Sequence, residues 1–65
     1  MKIIVNGAGH DTEATTLSAL LDELGHGQAK IATAVNEAFV PAAMREKQTL
    51  NMGDRVEIVA PRQGG

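Results

Sequence analysis

The 65-residue chain has no cysteine, no tryptophan and no tyrosine, with one phenylalanine and two prolines. Each absence removes a class of chemistry. Without cysteine there is no disulfide, thiolate metal cage, thiol nucleophile or redox pair, so an apolar core alone must hold the fold. With Phe39 as its single aromatic the chain has no base-stacking platform for single-stranded nucleic acid. Six Lys and Arg against eight Asp and Glu, a formal charge of −2, give no basic field for a phosphate backbone. The N-terminal apolar run, Ile3-Ile4-Val5, falls far short of a signal-peptide core or a membrane span, which describes a soluble, cytoplasmic protein. No carboxylate pair, Ser-His arrangement or phosphate loop is present, so no catalytic activity of its own is expected. His10 and His26 stand alone in loops, Asp11 and Glu13 read as a solvated turn, and no metal site is expected.

What is present suffices for one small domain, which buries only about 60% of the surface its unfolded chain exposes. Lys2 to Asn6 is a β-branched strand opening a hairpin at Asn6-Gly7, with Ile3 and Val5 facing the core and Ile4 outward. Gly7 and Gly9 suggest a looser loop than a two-residue turn, with a weak return strand over His10 to Ala14. Thr15 or Thr16 caps a helix whose Leu17, Leu20, Leu21 and Leu24 repeat at helical spacing. Asp22 and Glu23 lie opposite that stripe as solvent-facing charges, and Gly25 ends the helix. A loop over Gly25-His26-Gly27-Gln28 leads to a strand from Ile31 to Asn36, with Ile31, Thr33 and Val35 on one face and Ala32 and Ala34 on the other. Asn36-Glu37-Ala38 turns into a short strand, Phe39-Val40, that Pro41 stops, and residues 42 to 48 make one short helical turn. Leu50 and Met52 are expected to plug the core beneath that loop. Gly53-Asp54 turns into a last strand, Arg55 to Ala60, with Val56 and Ile58 inward and Arg55, Glu57 and Val59 outward. One helix covering one sheet of this order is an α+β domain of β-grasp (ubiquitin-like) type, a mixed four- to five-stranded sheet over residues 1–60.

Residues 61–65, Pro61-Arg62-Gln63-Gly64-Gly65, read as a flexible tail. Paired glycines are a poor way to finish a fold but pass where a Cβ would collide. A frayed terminus is the alternative. Extended, the five residues reach about 16 Å at roughly 3.3 Å each. Ordering them costs on the order of 1 to 2 kcal/mol per residue, so the tail alone binds weakly and docking must come from elsewhere. The outward sheet face supplies a candidate: Ile4 and Val59, with Ala32 and Ala34, edged by Arg55 and Glu57. Single exposed apolar residues are also ordinary on any protein.

In this order, Ile3-Ile4-Val5-Asn6-Gly7, Thr16-Leu17 with Leu20-Leu21, Ala34-Val35-Asn36, Val40-Pro41, Gly53-Asp54-Arg55-Val56-Glu57-Ile58-Val59 and Gln63-Gly64-Gly65 span nearly the whole chain. The chain resembles the small sulfur carrier proteins of thiamine biosynthesis, relatives of ubiquitin. It departs where family members often carry an Arg after Val-Pro and a Trp soon after, at Ala42 and Met44. The resemblance implies a substrate protein, with no cofactor of its own, monomeric when free. The Gly65 carboxylate would be adenylated by a ubiquitin-activating-enzyme-like adenylyltransferase using ATP and Mg²⁺, with Gly64, Gln63 and Arg62 threading the tail into that partner. Sulfur from a cysteine desulfurase persulfide would make a thiocarboxylate, which delivers sulfur to thiazole synthase. The sulfur then rides on the main-chain terminus, so no cysteine is required. Two readings compete: a sibling carrier serving molybdopterin or an amino-acid pathway, and a β-grasp interaction module with an inert tail.

Overall fold

The computed structural model describes residues 1–26 and 30–60. Five strands, one helix and one 3₁₀ turn follow in the order β1 (Lys2–Val5), β2 (Ala8–Asp11), α1 (Leu17–Glu23), β3 (Ala32–Val35), β4 (Ala38–Val40), η1 (Ala42–Met44) and β5 (Arg55–Val59). They build one mixed sheet in the order β2-β1-β5-β3-β4, with β1 and β5 parallel and the other neighbours antiparallel. β5, the last strand among the described residues, therefore lies at the centre of the sheet.

Both hairpins close through two residues. In the first, Val5 pairs with Ala8, and Asn6 and Gly7 have φ of 49° and 84°. Positive φ at both central positions is the type I′ geometry, whose twist matches that of the flanking strands. The looser loop expected around Gly7 and Gly9 is thus a tight turn, and the return strand starts at Ala8 and ends at Asp11 instead of running from His10 to Ala14. The second hairpin repeats the device at Asn36 and Glu37, with φ of 50° and 72°. Ala38 consequently belongs to β4, opposite Val35, and not to the turn.

Helix α1 is capped by Thr16, whose side chain accepts from the Ala19 amide at 3.2 Å. The amides of Leu17 and Ser18 donate to Gln48 and Arg45 carbonyls, which ties the helix start to the segment after η1. At the other end the Gly25 amide donates to the Asp22 carbonyl and the His26 amide to that of Leu21. With Gly25 at φ 84° this is a Schellman stop, the role expected of that glycine.

The buried core comprises Ile3, Leu17, Leu20, Leu21, Val35, Val40, Leu50, Val56 and Ile58. Val5, Leu24 and Ile31 pack against it half-buried. Leu50 plugs the core as expected, but Met52 is 76% exposed. Met52 sits in the turn from Asn51 to Asp54, closed by an Asp54 amide bond to the Asn51 carbonyl, and the turn aims it at solvent. Buried Thr33 donates to the Val40 carbonyl at 2.8 Å and accepts from Arg45 Nε at 3.1 Å, while Arg45 Nη2 donates to the Ile31 carbonyl at 2.7 Å. Among the described residues no helix is long and apolar enough to cross a membrane.

Candidate functional site

Pleating sends alternate residues of β5 to opposite faces. Val56 and Ile58 are buried against α1, and Arg55, Glu57 and Val59 are exposed on the other face. The register brings their neighbours to the same face: Ile4 lies opposite Arg55, Ala34 opposite Glu57, Ala32 opposite Val59, and Phe39 opposite Ala34. The four residues expected to dock a partner, Ile4, Val59, Arg55 and Glu57, are thus on one continuous surface.

That surface has two parts. Ala32, Ala34, Phe39, Glu57 and Val59 line a shallow hollow of about 190 Å³, with Val59 63% and Phe39 68% exposed. Ile4, Gly7, Glu37, Arg55 and Glu57 line a second of about 170 Å³. Arg55 meets Glu37 at 3.8 Å, an exposed pair worth little energetically that leaves both charges free to repartner. An apolar strip with a charged border is suited to a protein surface and offers a small molecule no enclosure.

Phe39 was not among the docking residues expected from the sequence. Its outward face follows from the length of the second turn. A two-residue turn at Asn36-Glu37 puts Ala38 opposite Val35 and hence Phe39 opposite Ala34. Recognising Asn36 as the partner of Asn6 in turn chemistry would have assigned that face.

β5 is braced on both sides by asparagine amides. Asn36 Oδ1 accepts from the Arg55 amide at 3.0 Å, and its Nδ2 donates to Asp54 Oδ1 at 3.0 Å. Asn6 Oδ1 accepts from the Ile58 amide at 2.8 Å, and its Nδ2 donates to the Ile58 carbonyl at 3.2 Å. The chain then passes Val59 and Ala60 into Pro61, Arg62, Gln63, Gly64 and Gly65, the residues expected to thread into a partner and carry the modification. These five lie outside the described residues, as do 27–29.

His10 is not a lone loop histidine. It sits in β2 and meets Glu23 Oε2 through Nε2 at 2.8 Å, while Thr12 Oγ1 donates to Glu23 Oε1 at 2.8 Å. The His10 hydrogen bond first, and the Thr12 hydroxyl second, hold the Glu23 carboxyl below its ordinary value. Glu23 faces solvent as expected and in addition ties the helix end to His10 of β2 and to Thr12. No group of three or more His, Asp or Glu that could hold a metal ion occurs among the described residues.

The ThiS family model matches residues 3–65. The chain belongs to the ThiS family. This is the family of sulfur carriers of thiamine biosynthesis that the sequence resembles, carriers rather than catalysts. The ThiS match takes in both the outer sheet face and the terminal Gln63-Gly64-Gly65. A crystal structure of the thiamine biosynthesis protein ThiS from Geobacter metallireducens is 25% identical, covers all of both chains and superposes with a TM-score of 0.84. An NMR structure of a thiamine biosynthesis protein from the same organism is 23% identical, with a TM-score of 0.81 over the whole of this chain and 88% of that one, and supports the shared β-grasp fold. Among curated proteins, a thiazole synthase from Paramagnetospirillum magneticum is 39% identical over 66 residues. That match takes in all of this chain but 20% of the synthase, so the chain spans about one fifth of the length of the curated relative it matches. Within the ThiS frame, Ala42 and Met44, the two departures noted in the sequence, fall in η1 on the protein surface.

Proposed function

We propose that the protein is a sulfur carrier for thiamine biosynthesis whose Gly65 carboxylate is adenylated and then converted to a thiocarboxylate. The single observation that carries this is the family match over residues 3–65, which extends to Gly65. The physical logic agrees. A carboxylate is a poor acyl donor because its charge is delocalised, and joining it to AMP through ATP and Mg²⁺ supplies a leaving group. A ubiquitin-activating-enzyme-like adenylyltransferase does this chemistry. The outer sulfur of a cysteine desulfurase persulfide then displaces AMP to give an acyl disulfide, and a second thiol attacks the S–S bond, becoming a disulfide itself and releasing the thiocarboxylate. Thiazole synthase receives the sulfur. The similarity to a chain named thiazole synthase supports that pairing, because there a carrier-like stretch and a synthase occur in one polypeptide.

The division of labour follows from the surface and the tail. Gly64 and Gly65 pass through a narrow slot because neither carries a Cβ. The strip around Val59, Phe39, Ala32, Ala34 and Ile4 supplies the docking area that a five-residue tail lacks, and Arg55 and Glu57 set its orientation. The test is incubation with the adenylyltransferase, ATP, Mg²⁺, a persulfide donor and a thiol reductant, followed by intact-mass measurement. The expected product is heavier by the exchange of one oxygen for sulfur at Gly65. Gly65→Ala, with its thermal midpoint unchanged, is expected to lose pyrophosphate exchange. Absence of the mass shift in an assay that charges a known carrier would refute the reading.

A further inference from the structure

We propose that Asn6 is a positioning residue, whose side-chain amide locks the end of β5 and thereby fixes the point from which the tail departs. The requirement arises from the topology. β1 pairs with β5 in parallel through Ile4 and Val5, and the Asn6 amide adds a bond to the Val56 carbonyl at 2.9 Å. The next rung of a parallel ladder would give the Ile58 N–H to the Asn6 backbone carbonyl and the Ile58 C=O to an amide two residues further on, but at Asn6 the chain enters the hairpin at φ 49° and leaves the sheet plane. The N–H and C=O of Ile58 point to this flank and would have no ladder partner.

The Asn6 carboxamide takes the missing place. It presents one acceptor and one donor, as a peptide group does, and uses both on Ile58, at 2.8 Å and 3.2 Å. The two residues are 52 positions apart, and Ile58 stands two residues before the chain reaches Ala60. On the opposite flank Ala32 pairs with Val59. The last rung of β5 is therefore held from both sides, on one side by a side chain. Few residues can do this. Glycine accepts the turn but has no amide, aspartate accepts the turn but has no donor, and glutamine carries its amide one methylene further out.

The lock itself follows from the fold, and its effect on tail activation rests on the carrier reading. The experiment separates the two. Asn6→Gly keeps the turn and removes both bonds, and Asn6→Asp keeps the acceptor alone. In hydrogen exchange, the Ile58 amide of Asn6→Gly is expected to exchange about tenfold faster or more, with Ile3 and Leu20 amides unchanged. In steady-state adenylation, its KM is expected to rise roughly fivefold with kcat within about twofold, because a loosened base weakens tail insertion but not chemistry once the tail is seated. Asn6→Asp is expected to retain part of the Ile58 protection. Uniform acceleration at all core amides would make Asn6 merely stabilising and overturn the proposal, as would local loosening with an unchanged KM. If the wild-type chain is not adenylated at all, the carrier reading fails, while the exchange data still decide whether the lock exists.

Discussion

Leu20 is the residue on which the helix-to-sheet contact can be tested most directly. It has no exposed surface and lies between Leu17 and Leu21 in the nine-residue buried core. Leu20→Ala removes three carbons, about 2.4 kcal/mol of transfer free energy at roughly 0.8 per methylene. The cavity left behind raises the expected loss to about 3 to 5 kcal/mol, since surrounding side chains collapse only partly. A 65-residue domain holds roughly 3 to 10 kcal/mol in total. Leu20→Ala is therefore expected to lower the urea midpoint by about 3 M or more, at a slope near 1 kcal/mol per molar, or to unfold the domain. Leu20→Met keeps the volume and should cost under about 1.5 kcal/mol, which leaves a measurable transition in either case. Far-UV circular dichroism is the appropriate assay, because the chain has no tryptophan or tyrosine to report by fluorescence. Exposed Asp22→Ala serves as the control. A Leu20→Ala loss no larger than that of Asp22→Ala would refute the packing described for α1.

Two further outcomes follow from side-chain hydrogen bonds. Thr33→Val leaves the Val40 carbonyl and Arg45 Nε without the hydroxyl they share. It should cost about 1 to 3 kcal/mol despite near-identical shape, and an unchanged urea midpoint would show the hydroxyl to be dispensable. The Glu23 carboxyl is held below its ordinary value of 4.5 by His10 and Thr12, so its contribution to stability is complete above that value and disappears as the pH falls through the lower, folded one. The gap in melting temperature between wild type and Glu23→Gln should therefore narrow as the pH drops below about 4.5. A gap that stays constant into that acid range would show that the carboxylate is not responsible.

Much of the fold could be read from residue patterns because local preference and burial agree. The Leu17, Leu20, Leu21 stripe and its Gly25 stop are one case, and the inward Val56 and Ile58 beside outward Arg55, Glu57 and Val59 are another. The misreadings fall where neighbouring strands override composition. Ala8, Gly9 and His10 have little strand preference of their own, yet pairing with Val5, Ile4 and Ile3 makes them β2. Glu37 at φ 72° is rarely accommodated in the left-handed region, so nothing in its chemistry marks the second tight turn, and the outward face of Phe39 is missed with it. Met52 reads as core by type and is turned outward by the Gly53 turn. Of the outer sheet face, the shared exposure of Ile4, Val59, Arg55 and Glu57 is legible from alternation alone. The Asn6 bracket joins residues 52 positions apart and is visible only once the topology is known.

The central place of β5 also orders events during synthesis. β1 and β3 are made early but have no strand to share until Arg55 to Val59 has been added between them. A chain cut short before residue 55 leaves two separate hairpins, neither stable alone in water. Only a chain made through Val59 can close the sheet, so a folded body implies that synthesis has already passed β5.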